Sequence, residues 1–156
     1  MPDPVDNKTE LLSFLKSLYE NDLPFNRLIG LKIKSISLDN VRTEFVMQEK
    51  LIGNPVRKTL HGGVISSVLD ATGGLVASAG VIRKMSDKPA ETVLEQFSKI
   101  GTIDLRIDYL RPGQGNTFTA SGNIMRSGRK VAVTRMALHN NEGLLIAVGT
   151  GTYLVG

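Results

Sequence analysis

The stretch Leu60-His61-Gly62-Gly63-Val64-Ile65-Ser66-Ser67-Val68-Leu69-Asp70-Ala71-Thr72-Gly73-Gly74-Leu75-Val76-Ala77-Ser78-Ala79-Gly80 decides the fold. From Gly62 to Ala79 nearly every residue is apolar or small, and Asp70 is the only charge. A helix that is apolar all round belongs inside a protein. Gly, Ser, Thr and Asp punctuate it too often for a membrane span of about 20 mainly apolar residues. The spacing therefore predicts a buried central helix carrying one carboxylate. An ionised carboxylate in such a place is costly unless it is paired or hydrogen-bonded, and acids so placed concentrate at functional sites. The bland alternative is a structural buried acid.

The start of this helix is a second candidate. Gly62 and Gly63 fall in the first turn, where backbone N–H groups lack partners within the helix and the helix dipole favours negative charge. Without side chains, these donors are open to a carbonyl oxygen. Gly63 and Asp70 are seven residues apart, about 10 Å along one helix face. One reacting centre cannot touch both.

Outward from this core, Lys8–Glu20 reads as an amphipathic helix with Leu11, Leu12, Leu15 and Leu18 on one side, Thr9 as its cap, and a stop at Leu23-Pro24. Residues 25–30 form a corner. Residues 31–36 and 41–48 read as a hairpin turning at Asp39-Asn40, and Lys50–Leu60 as a loop. The charged segment Arg83–Ile100 is expected to be a surface excursion with a short helix near Glu91–Lys99. Beyond it, Ile103, Leu105, Ile107 and Tyr109 alternate with polar residues, as in a half-buried strand. Three more strands follow near 117–125, 130–139 and 144–155, separated by short turns. Gly149 and Gly151 lie on one face of the last strand, where another backbone could approach closely. Two strands, a buried helix and four consecutive strands exclude a βαβ fold. The expectation is an α+β domain over residues 1–156, a six-stranded antiparallel sheet wrapped around the central helix, with an N-terminal helical extension over about residues 1–30. One helix cannot cover six strands, so a second copy is expected to bury what remains.

The chain has 156 residues, 41% hydrophobic and 22% charged, with a net charge of +4. No Cys and only two His, far apart, argue against a thiolate nucleophile, a disulfide framework or a metal site. No basic run, no Trp and few aromatics argue against nucleic acid as a partner. The positive balance suits a small polyanionic ligand, or is ordinary surface charge. No basic-then-apolar leader is visible, so a cytoplasmic location away from membranes is expected. His139 is expected at the surface beside a turn.

Taken together, His61-Gly62-Gly63, Asp70 nine residues after His61, and Thr102-Ile103-Asp104-Leu105-Arg106-Ile107-Asp108-Tyr109-Leu110-Arg111-Pro112-Gly113 resemble the hotdog-fold acyl-CoA thioesterases of the phenylacetate-pathway (PaaI-like) type. At Pro24-Phe25-Asn26-Arg27 and Tyr153-Leu154-Val155-Gly156 the likeness extends to the bacterial YigI-like medium- and long-chain branch. The resemblance implies hydrolysis of a medium- to long-chain, or aryl, acyl-CoA within fatty acid metabolism. It implies no cofactor and no metal. Asp70 resembles the catalytic acid, acting as general base or nucleophile, and Gly62 the oxyanion donor. Asn54 resembles the loop asparagine that helps place the thioester or water, and Thr102 the hydroxyl beside the acid. His61 is counted with the catalytic residues, read as positioning the helix entry, with a proton-transfer role as the alternative. Gly63, Arg111, Arg126, Gly128, Arg129 and Lys130 are the expected substrate-binding positions, the last four at a turn suited to CoA phosphate. The resemblance also implies a dimer that pairs into a homotetramer. Two copies of the central helix, antiparallel across a two-fold axis, would bring Gly62 and Asn54 of one chain to Asp70 and Thr102 of the other. The competing readings are an acyl-thioester hydratase or dehydratase and a non-enzymatic acyl-CoA-binding module. Thiol release from acyl-CoA, compared between wild type and Asp70→Asn, separates them.

Overall fold

The computed structural model describes residues 4–156, with side chains from Asn7 onward. The helices are α1 (Pro4–Ser17), α2 (Pro24–Ile29), α3 (Gly62–Lys84) and α4 (Ala90–Phe97). The strands are β1 (Lys32–Ile36), β2 (Asn40–Val46), β3 (Ile52–Asn54), β4 (Thr59–Leu60), β5 (Gly101–Tyr109), β6 (Thr117–Ser127), β7 (Val131–Asn140) and β8 (Leu145–Leu154). Six of them form one antiparallel sheet in the order β1-β2-β6-β7-β8-β5, and α3 packs across it. This is the hotdog arrangement expected from the sequence.

Two apolar clusters meet along α3. Ile65, Val68 and Leu69 pack with Phe45, Phe118, Met136 and Leu138 beneath its first half. Leu75, Val76, Val81 and Ile82 pack with Leu11, Leu15, Val41 and Tyr153 around its second half. Each such side chain, fully buried, contributes about 1.5–3 kcal/mol. Asp70 lies where the two clusters join. By length and composition α3 could cross a membrane, but 78% of that stretch is buried in this fold.

Several features of the fold depart from the sequence reading. The central helix is not buried all round: Thr72–Ile82 is, but Gly63 is exposed and Ser67, Asp70 and Ala71 are half-buried on one face of its first turns. No element of the chain covers that face completely. Thr9 does not cap α1, which begins at Pro4 and runs through it. The loop at 50–60 holds a 3₁₀ turn, Glu49–Leu51, and the β3–β4 hairpin. The excursion at 83–100 docks rather than floats: Val93 is buried, Phe97 stacks on Phe14 with ring centroids 6.4 Å apart, and Gln96 donates to the Val155 carbonyl. In β5, Leu105 and Ile107 are half-buried, while Ile103 and Tyr109 are 56% and 53% exposed. The reason is position, because β5 is an edge strand paired with β8 alone.

Helix α1 lies against α3 through Leu11 and Leu15. Helix α1 widens into a π-helical turn at Leu18–Asp22. Such turns insert a residue into the helical pattern and recur at functional sites. Here the turn brings Tyr19 against Gly74. It is braced by Asn26, which is buried and donates to the Tyr19 carbonyl, and by Glu20, which accepts from the Ile33 N–H.

Candidate active site

The helix entry is built first. His61 is the N-cap of α3, in extended backbone (φ −63°, ψ 136°), and its Nδ1 accepts the Gly63 N–H at 2.9 Å. That bond puts the ring proton of neutral His61 on Nε2. The His61 N–H is held by the Leu51 carbonyl, and the preceding Leu60 N–H by the Gly113 carbonyl. Gly53 lies so close that a Cβ there would stand 2.5 Å from the His61 Cα. The Gly62 carbonyl accepts from the Tyr109 hydroxyl at 3.1 Å. The outcome is selective. The Gly63 N–H is consumed by His61, whereas the Gly62 N–H has no acceptor among the described residues. Of the two glycines, Gly62 keeps the free donor.

Asp70 stands two turns further along the open face. Thr102 Oγ1 donates to its Oδ1 at 2.9 Å, and the Tyr153 hydroxyl reaches the same Oδ1 at 3.1 Å and the Asp70 carbonyl at 3.0 Å. Oδ2 has no donor among the described residues. A cavity of about 240 Å³ opens in front of Asp70, lined by Tyr19, Phe25, Asn26, Ser67 and Thr102 among others. Burial, with the Asp70 charge second, pushes the Tyr153 phenol far up, and burial does the same to Tyr19. Both phenols keep their protons, and Tyr153 donates to Asp70. Phe25 and Ser67 also line a neighbouring cavity of about 430 Å³ with Leu28, His61, Gly63 and Val64. A carboxylate with one oxygen tied and one open can take a proton from water at the cavity mouth, and a free helix-start N–H can hold a developing oxyanion.

A sequence profile of the thioesterase superfamily matches residues 57–147, which span the helix entry, Asp70 and Thr102. The chain belongs to the thioesterase superfamily. It is 40% identical over 147 residues to the medium/long-chain acyl-CoA thioesterase YigI of Escherichia coli K12 and of Salmonella typhimurium, covering 94% of this chain and 95% of those. Among solved structures it is similar to a thioesterase-superfamily protein from Shewanella oneidensis, with TM-score 0.92, 44% identity, and 96% and 97% of the two chains covered. A structure from Syntrophus aciditrophicus superposes with TM-score 0.87, also at 44% identity, over 97% and 99% of the two chains.

Within this thioesterase-superfamily chain, the residues singled out from sequence fall into five separate places. Asp70 and Thr102 are in contact. His61, Gly62 and Gly63 form the helix entry. Eight residues of helix, about 12 Å, separate Gly62 from Asp70. Asn54 ends β3, exposed, its Oδ1 accepting from the Val56 and Arg57 N–H groups at 3.1 Å each. Arg111 follows β5, and its guanidinium donates to the Leu145 carbonyl at 2.9 Å. Arg126, Gly128, Arg129 and Lys130 surround the β6–β7 turn, far along α3, where Lys84 donates to the Gly128 carbonyl. The three cations are exposed and have no carboxylate partner among the described residues. His139 is half-buried in β7 rather than at the surface, opposite Thr119.

Sequence reasoning missed Tyr153, Tyr19, Tyr109 and Phe25 as parts of this site. One signal was present. Gly151 lies two residues before Tyr153 on the same strand face, and the ring fills that space: a Cβ on Gly151 would meet it at 2.6 Å. The close approach expected at Gly151 is therefore made by a side chain of its own strand, wedged between the sheet and α3.

Proposed function

We propose that this chain is an acyl-CoA thioesterase that hydrolyses medium- to long-chain acyl-CoA to the free acid and CoA, using sites shared between two copies of the chain. The observation that carries this reading is the half-exposed face of α3, which bears a free Gly62 N–H at one end and the clasped Asp70 at the other. One straight helix cannot offer both to the same thioester. Two helices related by a two-fold axis can, and each pair of copies then has two equivalent sites.

In this mechanism Asp70 Oδ2 takes a proton from water, and the water oxygen bonds to the thioester carbonyl carbon. The carbonyl oxygen becomes an oxyanion and accepts from the Gly62 N–H of the other copy. Collapse breaks the C–S bond, and the sulfur leaves with the proton held by Asp70, giving the acid and the thiol of CoA. Donors placed for the developing charge, and a base at hydrogen-bond reach of water, supply the rate. Asn54 helps to place the thioester, and Arg111 contributes to substrate binding. The uncovered cations Arg126, Arg129 and Lys130 meet the CoA phosphates. The two cavities flanking Phe25 take the acyl chain, which agrees with the medium/long-chain substrates in the names of the Escherichia coli and Salmonella relatives. The exposed Ile103 and Tyr109 of edge strand β5 favour pairing with a second copy, and two such dimers would make the homotetramer.

The test is thiol release from acyl-CoA esters of increasing chain length, followed with a thiol-reactive dye, for wild type and Asp70→Asn. Wild type should release thiol fastest from medium and long chains, and Asp70→Asn should fold and release almost none. Absence of release from any chain length, or full turnover by the variant, contradicts the reading.

A further inference from the structure

We infer that Tyr153 is a positioning residue for Asp70, holding its carboxylate turned with Oδ2 toward the cavity. The inference rests on the reading of Asp70 as the general base.

Three observations carry it. First, the register of the sheet pairs Thr102 of β5 with Tyr153 of β8 as direct cross-strand partners, with a bulge immediately after Thr102. Neighbouring residues of an antiparallel pair present their side chains to one face, and here both hydroxyls reach the same Asp70 Oδ1, the Tyr153 proton being shared with the Asp70 carbonyl oxygen at 3.0 Å. A bulge re-aims a side chain beside a site. Two donors on one oxygen leave the other as the proton acceptor and fix the plane of the carboxylate.

Second, the ring of Tyr153 sits in a seat that the sequence maintains at a cost. A Cβ on Gly73 would overlap the Tyr153 hydroxyl, and one on Gly151 would stand 2.6 Å from it and from the ring. Glycine is unfavourable within a helix and within a strand. Both glycines make room for a phenol whose hydroxyl reaches the acid. A core built for packing alone would fill this space with an apolar side chain and no glycine.

Third, the hydroxyl is committed to donation. Tyr153 is 1% exposed, and burial beside the Asp70 charge keeps its proton on. The titratable groups facing Asp70 from elements packed on α3 are Tyr153 of β8 and Tyr19 of the π-helical turn. Neither carries a charge that competes with the carboxylate. A hydrogen bond donated to a carboxylate favours its charged form.

The experiment compares kcat/KM against pH for decanoyl-CoA in wild type, Tyr153→Phe and a protein with 3-fluorotyrosine at position 153. Tyr153→Phe keeps the ring in its seat, removes the donor, and should move the acid limb of that profile up. Its kcat should fall about tenfold with KM within about twofold, because orientation of the base is lost and substrate contact is not. Fluorotyrosine, a stronger donor of nearly the same shape, should move the limb down, and this variant decides the matter if Tyr153→Phe fails to fold. A merely structural tyrosine would change the melting temperature and leave both limbs on the wild-type curve, which overturns the inference. Asp70→Asn, assayed in parallel, separates the two levels. If it is inactive while the tyrosine variants titrate like wild type, only the positioning role falls. If it retains full turnover, the base assignment falls with it.

Discussion

Thr102 and Tyr153 stand opposite one another in the β5–β8 pairing, and their hydroxyls meet at one oxygen of Asp70, at 2.9 and 3.1 Å. The acid is thus held by the sheet, not by its own helix. Any change that shifts β8 relative to α3 should disturb it.

Gly151→Ala makes such a change. The new Cβ would meet the Tyr153 ring at 2.6 Å, so the ring must move. Overpacking of this kind costs about 1–3 kcal/mol. The expected outcome is a lower melting temperature together with a loss of kcat of at least about tenfold at a temperature where the variant is still folded. Calorimetry alongside turnover checks it. A destabilised variant with wild-type kcat would show that the ring position does not matter to the acid.

His61 acts on α3 as a cap. Its Nδ1 satisfies the Gly63 N–H, and loss of an N-cap costs about 0.5–2 kcal/mol. Urea unfolding should show a loss in this range for His61→Ala and recovery of most of it in His61→Asn, whose side chain can accept the same N–H. Both variants should keep substantial turnover. If both are dead although folded, His61 moves a proton in the reaction.

The exposed cations at the β6–β7 turn make a salt-dependent prediction. Arg129→Ala should raise KM for acyl-CoA more than it lowers kcat, because phosphate is held alike in ground and transition states. The difference from wild type should shrink in high salt. A KM unchanged at low salt would mark the turn as solvated surface.

Phe25 stands between the two cavities, 56% exposed. Phe25→Ala removes apolar surface from both. KM for long-chain substrates should rise about five- to tenfold, in keeping with the loss of part of one buried aromatic contact, while acetyl-CoA kinetics stay unchanged. An equal effect on both substrates would place the acyl chain elsewhere.

Much of this architecture was legible in the sequence. Period-two alternation and short turns between strands reveal an antiparallel sheet, and a long stretch of apolar and small residues reveals the helix it wraps. Asp70 and Gly62 were legible because a charge and a glycine pair are conspicuous in such a stretch. Tyr153 was not, since an aromatic residue late in a strand reads as core and its partner is fixed by register, which lies between two distant strands. The choice of Gly62 over Gly63 depends on where one imidazole nitrogen points. Tyr19 was hidden for a different reason. Its spacing of four from Leu15 reads as one more core position of α1, whereas the structure sets it in the π-helical turn at Leu18–Asp22 with its hydroxyl against Gly74.

The central claim is that Gly62 of one copy and Asp70 of another serve the same thioester, and complementation tests it most directly. Gly62→Pro removes the free N–H without breaking the helix. Proline is favoured at the first helical position, His61 already has the extended backbone that precedes proline, and a Cβ at Gly62 would meet only the Tyr109 ring, at 3.5 Å. Gly62→Pro and Asp70→Asn should each be nearly inactive alone. Mixed and allowed to exchange subunits, half of the dimers are heterodimers with one intact site of two, so thiol release should recover to about a quarter of wild type. If subunit exchange is demonstrated and no activity returns, or if a monomer at micromolar concentration hydrolyses acyl-CoA, the shared site is contradicted.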